Sequence, residues 1–317
     1  MPEINTPYNM YILQRQSDSM LYIKTTLLVL LLFNSVLFST IVNKHIDVFD
    51  PQIMASAAIL IDYETGTILY EKNIDDRIPP ASLTKLLTMF LTLKRIKTGK
   101  LTYQDIITIN EEASADNMPT GSSLMYLKEG QRISIIDLLK GLAVASGNDA
   151  AVAVAQHLAG SVPAFINEMN NECKQMGFTT FHFEDPSGLS DKNIITAREF
   201  AEFCRYYIYR FPESLSRIHS IKSLELPGKK QYNRNTALWT FFGVDGLKTG
   251  YISASGYNLA ITASQDGLRL IAVILGVPGK SHYQGRENIE KDAAELLSYG
   301  FENFNVIPSL VLEEVNK

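Results

Sequence analysis

The chain predicts an α+β fold in which one antiparallel sheet is built from both chain ends around a mainly helical insertion. Two blocks of alternating apolar residues, 56–73 and 238–277, read as strands at opposite ends of the chain. Between them apolar residues recur at helical spacing, and a last helical pattern after the second block supplies a helix to lie on the sheet.

Residues 1–19 are polar and patternless, and 1–24 reads as a disordered N-terminal segment. Thr25 to Val42 carry no charge and lie between Lys24 and Lys44, so 25–43 reads as a signal or membrane-anchor helix that exports the chain. A linker over 44–55 leads into one domain, 56–317. There "SAAILIDYETGTILYEKN" is a hairpin turning at Glu64-Thr65-Gly66, and a Pro-Pro turn precedes a helix from Ser82 to Lys97. Ser134 and Asp137 form a capping box for a buried helix that stops at Ser146-Gly147-Asn148. The next helix closes on Gly160, another runs from Pro163 to Gly177, and Thr196 with Glu199 caps one that ends before Pro212. The chain turns β-rich again from "LWTFFGVDGLKTG", Asp266-Gly267 marks a two-residue hairpin, and "GRENIEKDAAELLSYGFENF" is the final helix.

With 317 residues, 46% of them apolar and 20% charged, the chain can bury a full core. A formal charge of −5 supplies no basic face, which argues against nucleic acid as a partner. Cys173 and Cys204 lie in helical patterns and read as small buried apolar residues. None of the five histidines has a second ligand at metal spacing, so neither a metal nor an organic cofactor is implied.

The chemistry begins at "SLTKLLT". Three residues apart on a helix, Ser82 and Lys85 share a face with Cβ atoms about 5 to 6 Å apart, so the amine can reach the hydroxyl. An ordinary lysine is neutral in only about one molecule in 2,500 at pH 7, a handicap of about 4.6 kcal/mol. Burial or a second cation would remove it, and Lys248 is a candidate cation. Alone, such a pair also describes a capped helix with a solvated lysine. Ser146-Gly147-Asn148 at a helix end and Lys248-Thr249-Gly250 where a strand begins complete, in order, the three-part signature of penicillin-interacting serine enzymes.

On these motifs, and on "GSSLMYLKEGQRISIIDLLKGLAVASGNDAAVAVAQHLAG", "FEDPSGLSD", "NRNTALW" and "VDGLKTGY", the chain resembles the low-molecular-mass penicillin-binding proteins, specifically the serine-type D-alanyl-D-alanine carboxypeptidases, over about Ser56 to Phe304. The resemblance implies a β-lactamase/transpeptidase-like fold, peptidoglycan stem peptides as substrate and β-lactams as acylating inhibitors. It implies Ser82 as nucleophile, Lys85 as base, Ser146 as a relay bridging Lys85 and Lys248, and Asn148 orienting Lys85 and holding the substrate amide. Lys248 and Thr249 would face the terminal carboxylate, Gly250 would let the backbone approach the substrate, and the N–H groups of Ser82 and Tyr251 would form the oxyanion hole. Arg234 and Arg286 match arginines near the family's site, Arg286 being the better placed to hold the carboxylate and Arg234 having a structural ion pair as its plain alternative.

Tyr251 departs from the pattern, which more often has His or Thr there; its side chain would narrow or reshape the entrance. Only about 13 residues follow Phe304, where many members carry a further β-rich domain and an amphipathic helix, so the N-terminal segment would do any membrane anchoring, at the periplasmic or extracytoplasmic face. Three rivals remain: a D,D-endopeptidase of the same family, a class A β-lactamase using Glu184, and a non-catalytic wall-binding protein. "EDPSGL" lacks the Glu-x-x-Leu-Asn pattern of the second, and the intact Ser and Lys residues speak against the third.

Overall fold

The computed structural model describes residues 39–43, 51–226 and 229–308. Its first elements are β1 (Ser39–Asn43), β2 (Ala57–Asp62), β3 (Ile68–Lys72), α1 (Lys85–Lys97), β4 (Ile106–Thr108) and β5 (Arg132–Ser134). Four helices follow, α2 (Ile135–Lys140), α3 (Asn148–Ala159), α4 (Val162–Met176) and α5 (Ala197–Arg210). The chain closes with β6 (Ser223–Leu226), β7 (Lys229–Tyr232), α6 (Ala237–Thr240), β8 (Val244–Ile252), β9 (Gly256–Gln265), β10 (Leu268–Val277), α7 (His282–Asn303) and β11 (Phe304–Pro308).

The principal sheet has the order β3-β2-β10-β9-β8 and is antiparallel throughout, so β2 from one end of the chain pairs with β10 from the other. Alternation of side chains gives that sheet two buried faces. Ile59, Ile61, Ile271 and Val273 pack toward the helical region with Leu86, Phe90 and Phe203, while Leu60, Leu270, Ala272 and Ile274 pack against Ala293, Leu296 and Leu297 of α7. The β9–β10 turn is made by Asp266 and Gly267, both at positive φ, as the Asp-Gly signal requires.

Capping follows the sequence. Ser134 Oγ accepts from Asp137 N, Thr196 Oγ1 accepts from Glu199 N, and Gly160 and Gly177 end their helices in the left-handed region. Both cysteines are free and buried. The apolar run 25–43 lies outside the described residues up to 38; its last five residues, with β-branched Thr40, Ile41 and Val42, form β1 and pair with β11. Among the described residues no helix is long and apolar enough to cross a membrane.

The β-rich stretch begins later than the sequence suggests: Ala237–Thr240 is a helical turn that buries Ala237 and Leu238 and exposes Trp239. Asn233 Oδ1 accepts from Asn235 N and starts that turn.

Candidate active site

Ser82 sits on a single 3-10 turn, Ala81–Thr84, that runs into α1. Ala81 holds φ 51°, an uncommon value for a residue with a Cβ, and two glycines make room for it. A Cβ on Gly250 of β8 would lie 2.8 Å from Pro80 O and 2.9 Å from Ser82 N. One on Gly188 would lie 1.8 Å from Ala81 O. Gly250 thus brings the edge strand β8 against the nucleophile turn itself, a closer service than the approach to substrate that the sequence suggests.

Lys85 is fully buried, and its Nζ lies 3.0 Å from Ser82 Oγ, 2.7 Å from Asn148 Oδ1 and 2.5 Å from Ser187 O. Burial brings its pKa down to about 7, the Arg234 guanidinium pushes the same way, and the Asp185 and Asp149 carboxylates oppose both. Lys248, also buried, is held well below its ordinary value by burial first, then by Lys85 and Arg234. Arg234 therefore joins Lys248 as the cation beside Lys85.

Ser146 follows a π-helical turn, Gly141–Ala145, and takes φ 57°. Such turns are frequent at functional sites, and here the turn presents a hydroxyl at the break between α2 and α3. Ser146 Oγ accepts from Lys248 Nζ at 3.0 Å, and Lys248 also donates to Thr249 O at 2.9 Å. Ser146 is thus hydrogen-bonded to Lys248, while Lys85 Nζ bonds to Ser82, Asn148 and Ser187. Lys248 is buried behind Ser146, which lines the pocket together with Thr249.

Sequence reasoning missed three supporting groups. The Asp185 carboxylate accepts from the backbone N–H of Ser187, Gly188 and Ser190 at 2.7 to 2.8 Å, winding a tight loop that fixes the Ser187 carbonyl over Lys85. The Asp149 carboxylate accepts from Met125 N and Leu127 N, tying the loop beside the pocket to α3. His219 lies buried against β8, with Nδ1 3.2 Å from Leu247 O and Nε2 2.8 Å from Tyr207 OH, and burial holds its pKa down at about 4. The only sequence signals were an Asp following Ser-Gly-Asn and an Asp opening "DPSGLSD".

Ser82, Ser146, Asn148, Thr249, Gly250, Tyr251, Arg234 and Arg286 all line one cavity of about 690 Å³, and Lys85 and Lys248 sit behind its wall. Arg234 and Arg286 face it without a carboxylate partner among the described residues, and each repels the other's charge. The structural ion pair that was the plain alternative for Arg234 is not found among the described residues. Glu184 lies instead at the surface, 3.8 Å from His182 and 3.7 Å from Lys192, so it cannot serve as a lactamase-type base here. No cluster of metal-ligating side chains occurs among the described residues.

Residues 44–279 match the D-alanyl-D-alanine carboxypeptidase family, peptidase S11. The chain is 41% identical over 271 residues to D-alanyl-D-alanine carboxypeptidase DacA of Haemophilus influenzae, covering 84% of this chain and 67% of that protein. It spans about two thirds of the length of the curated relatives it matches, 67% and 64% for two of them. Penicillin binding protein 5 from Haemophilus influenzae superposes with a TM-score of 0.76 at 40% identity, over 82% of this chain and 74% of that one. Penicillin-Binding Protein D2 from Listeria monocytogenes, in its ampicillin-bound form, gives 0.68 at 29% identity, over 78% and 98%. The sheet, the Ser82–Lys85 pair and these matches agree: the chain belongs to the serine-type D-alanyl-D-alanine carboxypeptidase family of penicillin-binding proteins.

Proposed function

We propose that this chain removes the terminal D-alanine from peptidoglycan stem pentapeptides through an acyl-enzyme on Ser82, and that penicillins acylate the same hydroxyl. The observation that carries this reading is the set of partners around Lys85 Nζ. Asn148 Oδ1 and Ser187 O can only accept, so they take both N–H bonds of a neutral amine and leave its lone pair for the Ser82 hydroxyl proton. With a pKa of about 7, that amine is neutral in about half of the molecules at pH 7.

Ser82 Oγ attacks the carbonyl carbon of the penultimate D-alanine while its proton passes to Lys85 Nζ. The negative oxygen of the tetrahedral intermediate rests on the N–H groups of Ser82 and Tyr251, each such donor being worth about 10² to 10³ in rate. Collapse breaks the C–N bond; the Lys85 ammonium gives up the proton it took from Ser82, which reaches the leaving amine by way of the Ser146 hydroxyl held by Lys248, and D-alanine departs with Lys85 neutral again. Water then attacks the ester carbonyl and gives a proton to Lys85, and that proton returns to Ser82 Oγ as the ester C–O bond breaks, regenerating the hydroxyl and the neutral amine. Thr249, Arg286 and Arg234 hold the terminal carboxylate.

The site would work at the extracytoplasmic face of the cell membrane, periplasmic or outside, delivered or held there by the uncharged run from Thr25 to Val42. Incubation of the chain with a pentapeptide ending in D-Ala-D-Ala, and separately with penicillin, tests the reaction. Free D-alanine and a slowly decaying adduct on Ser82 are expected. Fast penicillin turnover without D-alanine would indicate a β-lactamase, and near-normal acylation of Lys85→Ala would remove Lys85 as the base.

A further inference from the structure

The wall of the pocket beside Thr249 is aromatic. Side chains two apart on a strand share a face, so Tyr251 projects on the same side of β8 as Thr249. Tyr251 is directly opposite Tyr257 in the β8–β9 register, with ring centroids 4.5 Å apart, and its ring centroid is 4.6 Å from that of His282. Tyr257 OH lies 2.7 Å from His282 Nδ1, which links β9 to the first turn of α7. Helix α7 comes this close because residue 285 is glycine: a Cβ there would lie 1.9 Å from Tyr257 Cε2. Arg286, one turn beyond His282, lines the pocket next to this wall. Tyr251 remains 42% exposed, so the ring that Tyr257 and His282 fix in place occupies pocket space instead of core.

Resting on the reading of the site as a D,D-carboxypeptidase, we infer that Tyr251, braced by Tyr257 and His282, restricts the leaving group to one with a small side chain, and so makes the enzyme a carboxypeptidase instead of a cross-link endopeptidase. The two substrates share the scissile bond and a carboxylate on the leaving residue. They differ in what the leaving α-carbon carries: a methyl group in terminal D-alanine, a chain leading to a second stem peptide in the cross-link. Thr249 and the arginines fix the carboxylate, so the methyl or the chain must project from a fixed point, and the Tyr251 ring stands on the same strand face two residues along.

The test compares kcat/KM for D-alanine release from a pentapeptide with that for cleavage of a cross-linked stem-peptide dimer. It uses the full chain, Tyr251→Thr and Tyr257→Phe, which loses the hydroxyl that holds His282. The pentapeptide-to-dimer ratio should fall at least tenfold in Tyr251→Thr, the scale on which pockets discriminate side-chain bulk, and in the same direction by less in Tyr257→Phe. An unchanged ratio in both variants overturns the inference, and if Tyr251→Thr fails to fold, the ratio in Tyr257→Phe decides. Wild-type chain that releases no D-alanine yet cleaves the dimer overturns both this inference and the carboxypeptidase reading, whereas normal D-alanine release with an unmoved ratio overturns this inference alone.

Discussion

In the proposed reaction Lys85, as the base, would set the pH at which Ser82 is acylated, and its surroundings give the midpoint. A drop from 10.5 to about 7 corresponds to about 5 kcal/mol of preference for the neutral amine, at 1.36 kcal/mol per unit. The rate constant for acylation by a fluorescent penicillin should therefore rise with pH, reach half its plateau near pH 7, and stand about 100-fold below the plateau at pH 5. Arg234→Gln is the informative perturbation. Removing a cation that disfavours the ammonium raises the Lys85 pKa, and a rise of half a unit to one unit would leave between about a quarter and a tenth of the amine neutral at pH 7. Arg234 also lines the pocket, so its loss weakens carboxylate binding at every pH; the readout is the midpoint, not the plateau. A wild-type midpoint above about pH 9, or a midpoint that moves down in Arg234→Gln, would refute the assignment of Lys85 as the base.

Gly250→Ala should retain the fold but lower acylation by about 10² or more, because the added methyl displaces the Ser82 N–H that would serve the oxyanion in the proposed reaction; penicillin labelling beside a thermal melt separates the two effects. Gly188→Ala should lower the melting temperature as well as acylation, since its Cβ would overlap Ala81 O at φ +86°; a variant as stable as wild type contradicts the packing described. His219, neutral when folded with a pKa of about 4 against about 6.5 unfolded, contributes a loss of stability as pH falls from 6.5 through 4, amounting to about 3 kcal/mol. Urea unfolding of His219→Phe should show a shallower decline over that range, and a decline as steep as wild type would exclude the histidine as its source.

Legibility in the sequence followed the range of the interaction. Local signals were sufficient for the Asp266-Gly267 hairpin, the caps at Ser134 and Thr196 and the helix of Ser82 and Lys85, because each is decided within a few residues. The meeting of the three motifs came through likeness to a family, since no pattern in residues 82, 146 and 248 alone states that they converge. The β6–β7 hairpin went unread because its second strand, "KKQY", carries almost no apolar alternation. Nor did the sequence show that Lys85 depends on the Ser187 carbonyl: a backbone atom brought in by a loop 102 residues away has no signature in side-chain identity. Tyr251 was visible as a departure, but the two rings that brace it were not, because Tyr257 is set by strand register and His282 by the angle of a helix.

The sheet closes late. Strand β2 has only β3 beside it until β10 exists, about 200 residues further along, and Ala55 N waits for a carboxylate at Asp292, 237 residues away. Ser82 and Lys85 come from the early part of the chain and Lys248, Thr249 and Tyr251 from the late part, with Gly250 pressed against Ser82. In the proposed reaction, synthesis must therefore run almost to its end before Ser82 and Lys85 can meet Lys248 and Gly250, and a product truncated before about residue 250 is expected to be inert. An enzyme that trims the wall only when its whole sheet is shut gives the cell no partially folded hydrolase to restrain.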